Sequence, residues 1–117
     1  MHQPLRITFH GVQRSDAVEA LLHDKVAELD ARHPGRILSC HATVEASHHY
    51  RHGRLYRIHL DIRVRDKQIL VTRPRENHAH EDVYVAIRDA FDAATRQLDE
   101  HLRRRVDASR SLEGDTP

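Results

Sequence analysis

The side chains of this chain best suited to chemistry are cations, and they are concentrated in its middle. Residues 51–75 hold Arg51, Arg54, Arg57, Arg63, Arg65, Lys67, Arg73 and Arg75 against Asp61 and Asp66, a local net charge of +6, although the whole 117-residue chain carries only +1 with its histidines neutral. A nucleic-acid backbone presents a negative charge every few ångströms, and neutralising several phosphates releases counterions, which makes association favourable and steeply salt-dependent. Arginine suits the task because its planar guanidinium bonds phosphate oxygens in pairs. The near-neutral total argues against a generic nucleic-acid coat. With no tryptophan and 4% aromatic residues, base stacking is not expected to dominate. A row of arginines on an exposed strand also reads as an ordinary solvated face, so the pattern leaves a polyanion contact and a plain surface side by side.

Twelve histidines raise a second possibility. His48, His49 and His52 share one stretch, and His78, His80 and Glu81 another. Zinc requires three or four converging ligands, often thiolates, and neither stretch has a recognised spacing with cysteines. The alternatives are a His-rich metal-binding or pH-sensing protein, whose surface gains charge as imidazoles protonate near pH 6, and simple polar loops. The second stretch leads into a helix N-terminus, where backbone N–H groups can meet an anion. For an enzyme the sequence offers little: no Gly-rich phosphate loop, no nucleophile elbow and no HExxH, since HAHE lacks the helical spacing that aligns two imidazoles. Asp89, Asp92 and Asp99 mimic paired carboxylates but fall on the outer side of a charged helix. No catalytic residue, metal, cofactor or small-molecule substrate is therefore expected. Cys40 is the only cysteine and, within ILSCHATV, reads as a small buried hydrophobe, which favours a reducing compartment. No apolar run approaches the roughly 18 residues needed to span a bilayer, so a cytoplasmic, soluble chain is expected.

These side chains must be carried by one domain, the expectation for a chain of this length. Leu5, Ile7 and Phe9 alternate with Arg6, Thr8 and His10, which predicts a first strand. Ser15 or Asp16 can cap a helix over residues 16–32, in which Val18, Leu21, Leu22, Val26 and Leu29 form one stripe, and His33-Pro34-Gly35 ends it. Leu38, Cys40, Ala42, Val44 and Ala46 predict a second strand. Tyr56, Ile58, Leu60, Ile62 and Val64 predict a third, joined to it by a polar loop ending in Gly53. A turn at Asp66-Lys67 leads to a fourth strand around residues 69–72, ended by Arg73-Pro74-Arg75. Val83, Ile87, Ala90, Phe91, Ala94, Leu98 and Leu102 then lie on one stripe of a long helix. The order β-α-β-β-β-α predicts an α+β fold, a four-stranded mixed sheet with both helices on one face and the other face open to water. The open face should display Arg57, His59 and Arg63, with His41, Arg6 and His10 beside them. Residues 1–105 form the expected domain, and the acidic, apolar-poor segment 106–117 an expected disordered tail.

The element order, the helix-one run SDAVEALLHDKVAEL and the run EDVYVAIRDAFDAATRQLDEHLRRR resemble the ribosome hibernation-promoting factor and ribosome-associated inhibitor family, also labelled sigma-54 modulation proteins. The resemblance covers about residues 4–105. Its most specific parts are Glu81-Asp82-Val83-Tyr84-Val85-Ala86-Ile87 and Arg96-Gln97-Leu98. It implies a short-form, non-enzymatic factor that binds the small ribosomal subunit and its ribosomal RNA near the decoding centre, blocking messenger and transfer RNA in stress or stationary phase. Lys25 matches a family lysine and Arg96 the arginine of Arg-Gln-Leu, while Tyr84 matches a tyrosine with a packing role. Members commonly show Lys-x-x-Lys-Leu where this chain has Lys25-Val26-Ala27-Glu28-Leu29, Lys-Leu where it has Ala93-Ala94, and lysines around a histidine where Asp99-Glu100-His101-Leu102 is acidic. Arg103, Arg104 and Arg105, one turn later, together with the basic strand pair, are expected to stand in for those lysines. The RNA-binding set implied is Lys25, Arg57, Arg63, Arg73, Arg75, Arg88, Arg96, Arg103 and Arg104.

Overall fold

The computed structural model describes residues 5–49, 53–73 and 82–114, with side chains described except for residues 48, 49, 53, 54 and 105–114. Strands β1 (Leu5–His10), β2 (Ile37–His49), β3 (Gly53–Val64) and β4 (Lys67–Arg73) form one sheet in the order β1-β2-β3-β4. β1 runs parallel to β2, and the other two pairings are antiparallel. A parallel neighbour demands a crossover, which helix α1 (Asp16–Arg32) supplies, whereas β2, β3 and β4 follow one another as hairpins. Helix α2 (Val83–Gly114) packs on β3 and β4, and α1 lies beside it against β1 and β2. This is the β-α-β-β-β-α mixed-sheet fold expected from the sequence.

The period of two on the strands explains the layering. Cys40, Ala42, Val44, Ile58, Leu60, Ile62, Ile69 and Val71 all point to the helical side and are buried, meeting Val18, Leu22, Val26 and Leu29 of α1 and Ile87, Phe91, Ala94 and Leu98 of α2. Each large side chain withdrawn from water contributes about 1.5–3 kcal/mol before conformational entropy is charged against it. Burial pushes the Cys40 thiol up to about 12, which keeps it a protonated, inert hydrophobe.

Local signals set the helix starts. Ser15 Oγ accepts from the Val18 amide at 3.3 Å, and Asp82 Oδ1 accepts from Tyr84 N at 2.9 Å. Each satisfies an amide that the first helical turn leaves without a partner.

In two places the chain departs from expectation. The pairing of β2 with β3 shifts between Ile37 and Ser39, so Ile37 turns inward, 7% exposed, and Leu38 outward, 55% exposed. An extra residue in one strand reverses the alternation beyond it, and Leu38 is not the core residue its spacing suggested. The β3–β4 turn is Arg65-Asp66, with Lys67 already in β4. The backbone of α2 runs through residues 106–114, within the expected tail segment. Extending a formed helix adds a hydrogen bond per residue without a new nucleus. Residues 115–117 of that expected tail lie outside the described residues.

Candidate nucleic-acid interface

Sheet register places the residues of the uncovered face in four rows. His10, Glu45 and Arg57 form one; Thr8, Thr43, His59 and Thr72 the next; Arg6, His41, Asp61 and Leu70 the third; Ser39, Arg63 and Gln68 the last. The expected open-face residues Arg6, His10, His41, Arg57, His59 and Arg63 thus share one surface. Arg57 and Arg63 are six residues apart on β3, so about 20 Å separates their positions along the strand.

Two carboxylates also lie on this face, Glu45 and Asp61. Asp61 was visible in the sequence between Arg57 and Arg63, but its effect depends on where its hydrogen bonds go. Asp61 Oδ1 accepts from Gln68 Nε2 at 2.9 Å, and Glu45 Oε2 lies 3.3 Å from His59 Nε2. His59 Nδ1 in turn lies 3.0 Å from Thr72 Oγ1, and His41 Nε2 2.8 Å from Thr8 Oγ1. The carboxylates are held by an amide and an imidazole instead of by guanidinium groups. Among the described residues, no carboxylate forms an ion pair with Arg6, Arg57 or Arg63. The Nε of half-buried Arg57 is shielded from solvent and has no hydrogen-bond partner. Leaving such a donor unsatisfied costs about 1–3 kcal/mol.

The other expected contact residues do not join this surface. Arg73 is paired in register with buried Ile58, so it leaves β4 on the helical side, and one of its guanidinium nitrogens donates to the Thr72 carbonyl at 3.1 Å. Lys25 lies on α1 beside the groove formed with Phe91, Asp92 and Thr95 of α2, its Nζ 3.3 Å from Glu28 Oε2. Arg88, Arg96, Arg103 and Arg104 are exposed on α2. Arg96 and Arg103 are seven residues apart and share one outer stripe, whereas Arg104 pairs with Glu100. Arg75 lies outside the described residues. The cations thus occupy both faces of a two-layer sandwich and do not make one contiguous patch.

Two acidic residues of α2, Asp99 and Glu100, have internal partners. Asp99 bonds Arg32 and His33 at the end of α1, Glu100 bonds Arg104, and the neighbouring His101 bonds Asp66 in the β3–β4 turn. Arg96 and Arg103 form no ion pair among the described residues. No set of three or more His, Cys, Asp or Glu side chains converges on a possible metal position among the described residues. The candidate ligands His48, His49, His52, His78, His80 and Glu81 fall outside the described side chains. No described helix is long and apolar enough to cross a membrane.

A family model described as "Sigma 54 modulation protein / S30EA ribosomal protein" matches residues 5–106. Comparison with curated protein sequences gives no match. Among solved structures, the N-terminal domain of Protein Y from Thermus thermophilus superposes with a TM-score of 0.63 at 19% identity, covering 86% of this chain and 99% of that one. A ribosomal subunit interface protein from Coxiella burnetii superposes with a TM-score of 0.68 at 14% identity, again over 86% and 99% of the two chains. At these identities the superpositions establish a shared fold.

Proposed function

This chain belongs to the sigma 54 modulation protein / S30EA ribosomal protein family, and from that membership we propose that it is a non-enzymatic, cytoplasmic ribosome-associated factor. It binds small-subunit ribosomal RNA near the decoding centre and excludes messenger and transfer RNA in stress or stationary phase. The observation that carries the RNA contact is the state of Arg57 and Arg63. Both stand on the uncovered sheet face while the carboxylates beside them are engaged by Gln68 and His59. Guanidinium groups without an internal carboxylate partner are available to phosphate oxygens.

Arg96 and Arg103 on the opposite layer fit the same reading. A domain lying on a flat RNA surface needs cations on one side only, whereas one that fills a channel walled by RNA meets phosphate on both. Blocking is then steric: the sheet and helices occupy the channel, and the arginines hold them there. Such contacts release counterions, so occupancy falls steeply with salt.

The test is a sucrose-gradient profile of ribosomes with the purified protein at a low and a high salt concentration. Co-migration with the small subunit at low salt and its loss at high salt are expected. A protein that stays at the top of the gradient under both conditions, or stays bound regardless of salt, would overturn the proposal.

A further inference from the structure

Among the described residues, three imidazoles lie on the uncovered sheet face beside its arginines. His10 of β1 shares a row with Glu45 and Arg57. His41 of β2 stands between Arg6 of β1 and Asp61 of β3, and His59 of β3 between Thr43 of β2 and Thr72 of β4. Both helices pack on the other side of the sheet, so the described charged groups facing these imidazoles are Arg6, Arg57 and Arg63 against Glu45 and Asp61. Together these groups sum to +1 with the three imidazoles neutral and to +4 with all three protonated. Imidazole is the side chain that changes charge between about pH 5 and pH 8, a window in which carboxylates and guanidinium groups keep theirs.

The hydrogen bonds of His59 accommodate both protonation states. Glu45 Oε2, 3.3 Å from Nε2, can only accept, so Nε2 carries a hydrogen and Nδ1 of the neutral ring is bare. Thr72 Oγ1 lies 3.0 Å from Nδ1 and donates to it. Protonation of Nδ1 reverses that bond: the imidazolium donates, the hydroxyl accepts, and the Thr72 hydrogen is released. Because Thr72 is exposed, the released hydrogen is available to a phosphate oxygen above the face. His41 Nε2 meets the exposed Thr8 Oγ1 at 2.8 Å, and in the imidazolium that bond likewise runs from ring to hydroxyl. Neither change requires a heavy atom to move. An imidazolium at His59 also offsets the charge of Glu45, the carboxylate paired in register with Arg57.

We propose that His10, His41 and His59 make this face a proton-controlled RNA contact. Protons taken up below neutrality turn a weakly charged surface into a strongly cationic one, with the Thr8 and Thr72 hydroxyls as outward donors, and phosphates bind it more tightly. This switch rests on the ribosomal RNA reading above and adds to it the regulation of the same site. The coupling is reciprocal, so phosphates held on the face keep the imidazoles protonated.

Binding of the full chain to purified small ribosomal subunits, measured across a salt series at about pH 6 and about pH 7.5, tests it. The parent should bind about tenfold more tightly at the lower pH, and its log-affinity against log-salt slope should steepen by roughly 2.7 for three added phosphate contacts. A His10→Asn/His41→Asn/His59→Asn variant should match the parent at the higher pH and lose both changes. Thr72→Val keeps every imidazole and the strand propensity of its position, so it serves even if the triple variant misfolds. It should keep the steeper slope but gain about threefold less affinity, the share of one neutral hydrogen bond. Parent affinity that does not change with pH would leave the ribosomal reading standing and overturn the switch. So would a triple variant that keeps the parent's gain, since the titrating groups would then lie elsewhere, or a parent-like gain in Thr72→Val. A parent that binds no subunits at either pH would remove both.

Discussion

Arg32 and Asp99, 67 residues apart, close the open end of the helical layer: the Arg32 Nε donates to both Asp99 carboxylate oxygens at 2.7 and 2.9 Å. His33 Nε2 completes the cluster 2.6 Å from Asp99 Oδ1. The last turn of α1 is thereby fastened to the middle of α2. The residue that departs from the family's basic pattern in this helix has a structural use.

The Arg32 hydrogen bond, opposed by burial and supported by His33, holds the Asp99 carboxyl down at about 2. A depressed carboxyl contributes stability above its unfolded value of about 3.9 and loses it as pH falls through the folded value. Asp99→Asn should therefore melt a few degrees below the parent at pH 7, and the gap should close between about pH 4 and pH 2. Thermal melts across that range check it, and a gap independent of pH would contradict the clamp.

Gly11 and Gly35 both have positive φ, 76° and 74°, yet their surroundings differ. A Cβ on Gly11 would lie 2.2 Å from the Ala46 carbonyl oxygen, whereas at Gly35 nothing lies within 4 Å. Gly35→Ala should cost only the left-handed backbone penalty, about 1–2 kcal/mol. Gly11→Ala must also push the end of β1 away from β2, so its cost should exceed that of Gly35→Ala by at least about 1 kcal/mol. Urea unfolding of the two variants gives the comparison, and equal losses would refute the close approach.

If RNA surrounds the domain, the two layers should contribute alike to salt dependence. Arg57→Gln with Arg63→Gln, and separately Arg96→Gln with Arg103→Gln, should each lower the salt slope of subunit binding by roughly 1.5, and all four together by roughly 3. Arg14→Gln is the control, since Arg14 already pairs with Glu19 at 2.9 Å. A slope that responds to the sheet pair alone would indicate a one-sided contact.

The sequence by itself determined the elements and which way most side chains face, because both rest on local periodicities of two and 3.6 residues. From these came the order β-α-β-β-β-α and an open face bearing Arg6, Arg57 and Arg63, while the cap of α1, left between Ser15 and Asp16, was settled on Ser15 by the structure. Tertiary structure decided what depends on pairing between distant segments. Strand register brought Glu45 to His59 and Asp61 to Gln68, leaving the nearby guanidinium groups without carboxylate partners. The register shift after Ile37 exchanged the roles of Ile37 and Leu38. Sheet and helices also divided the cations between two faces. A charge count along the chain could not show that division, because the layer to which each cation belongs is fixed only when the helices close over one side of the sheet.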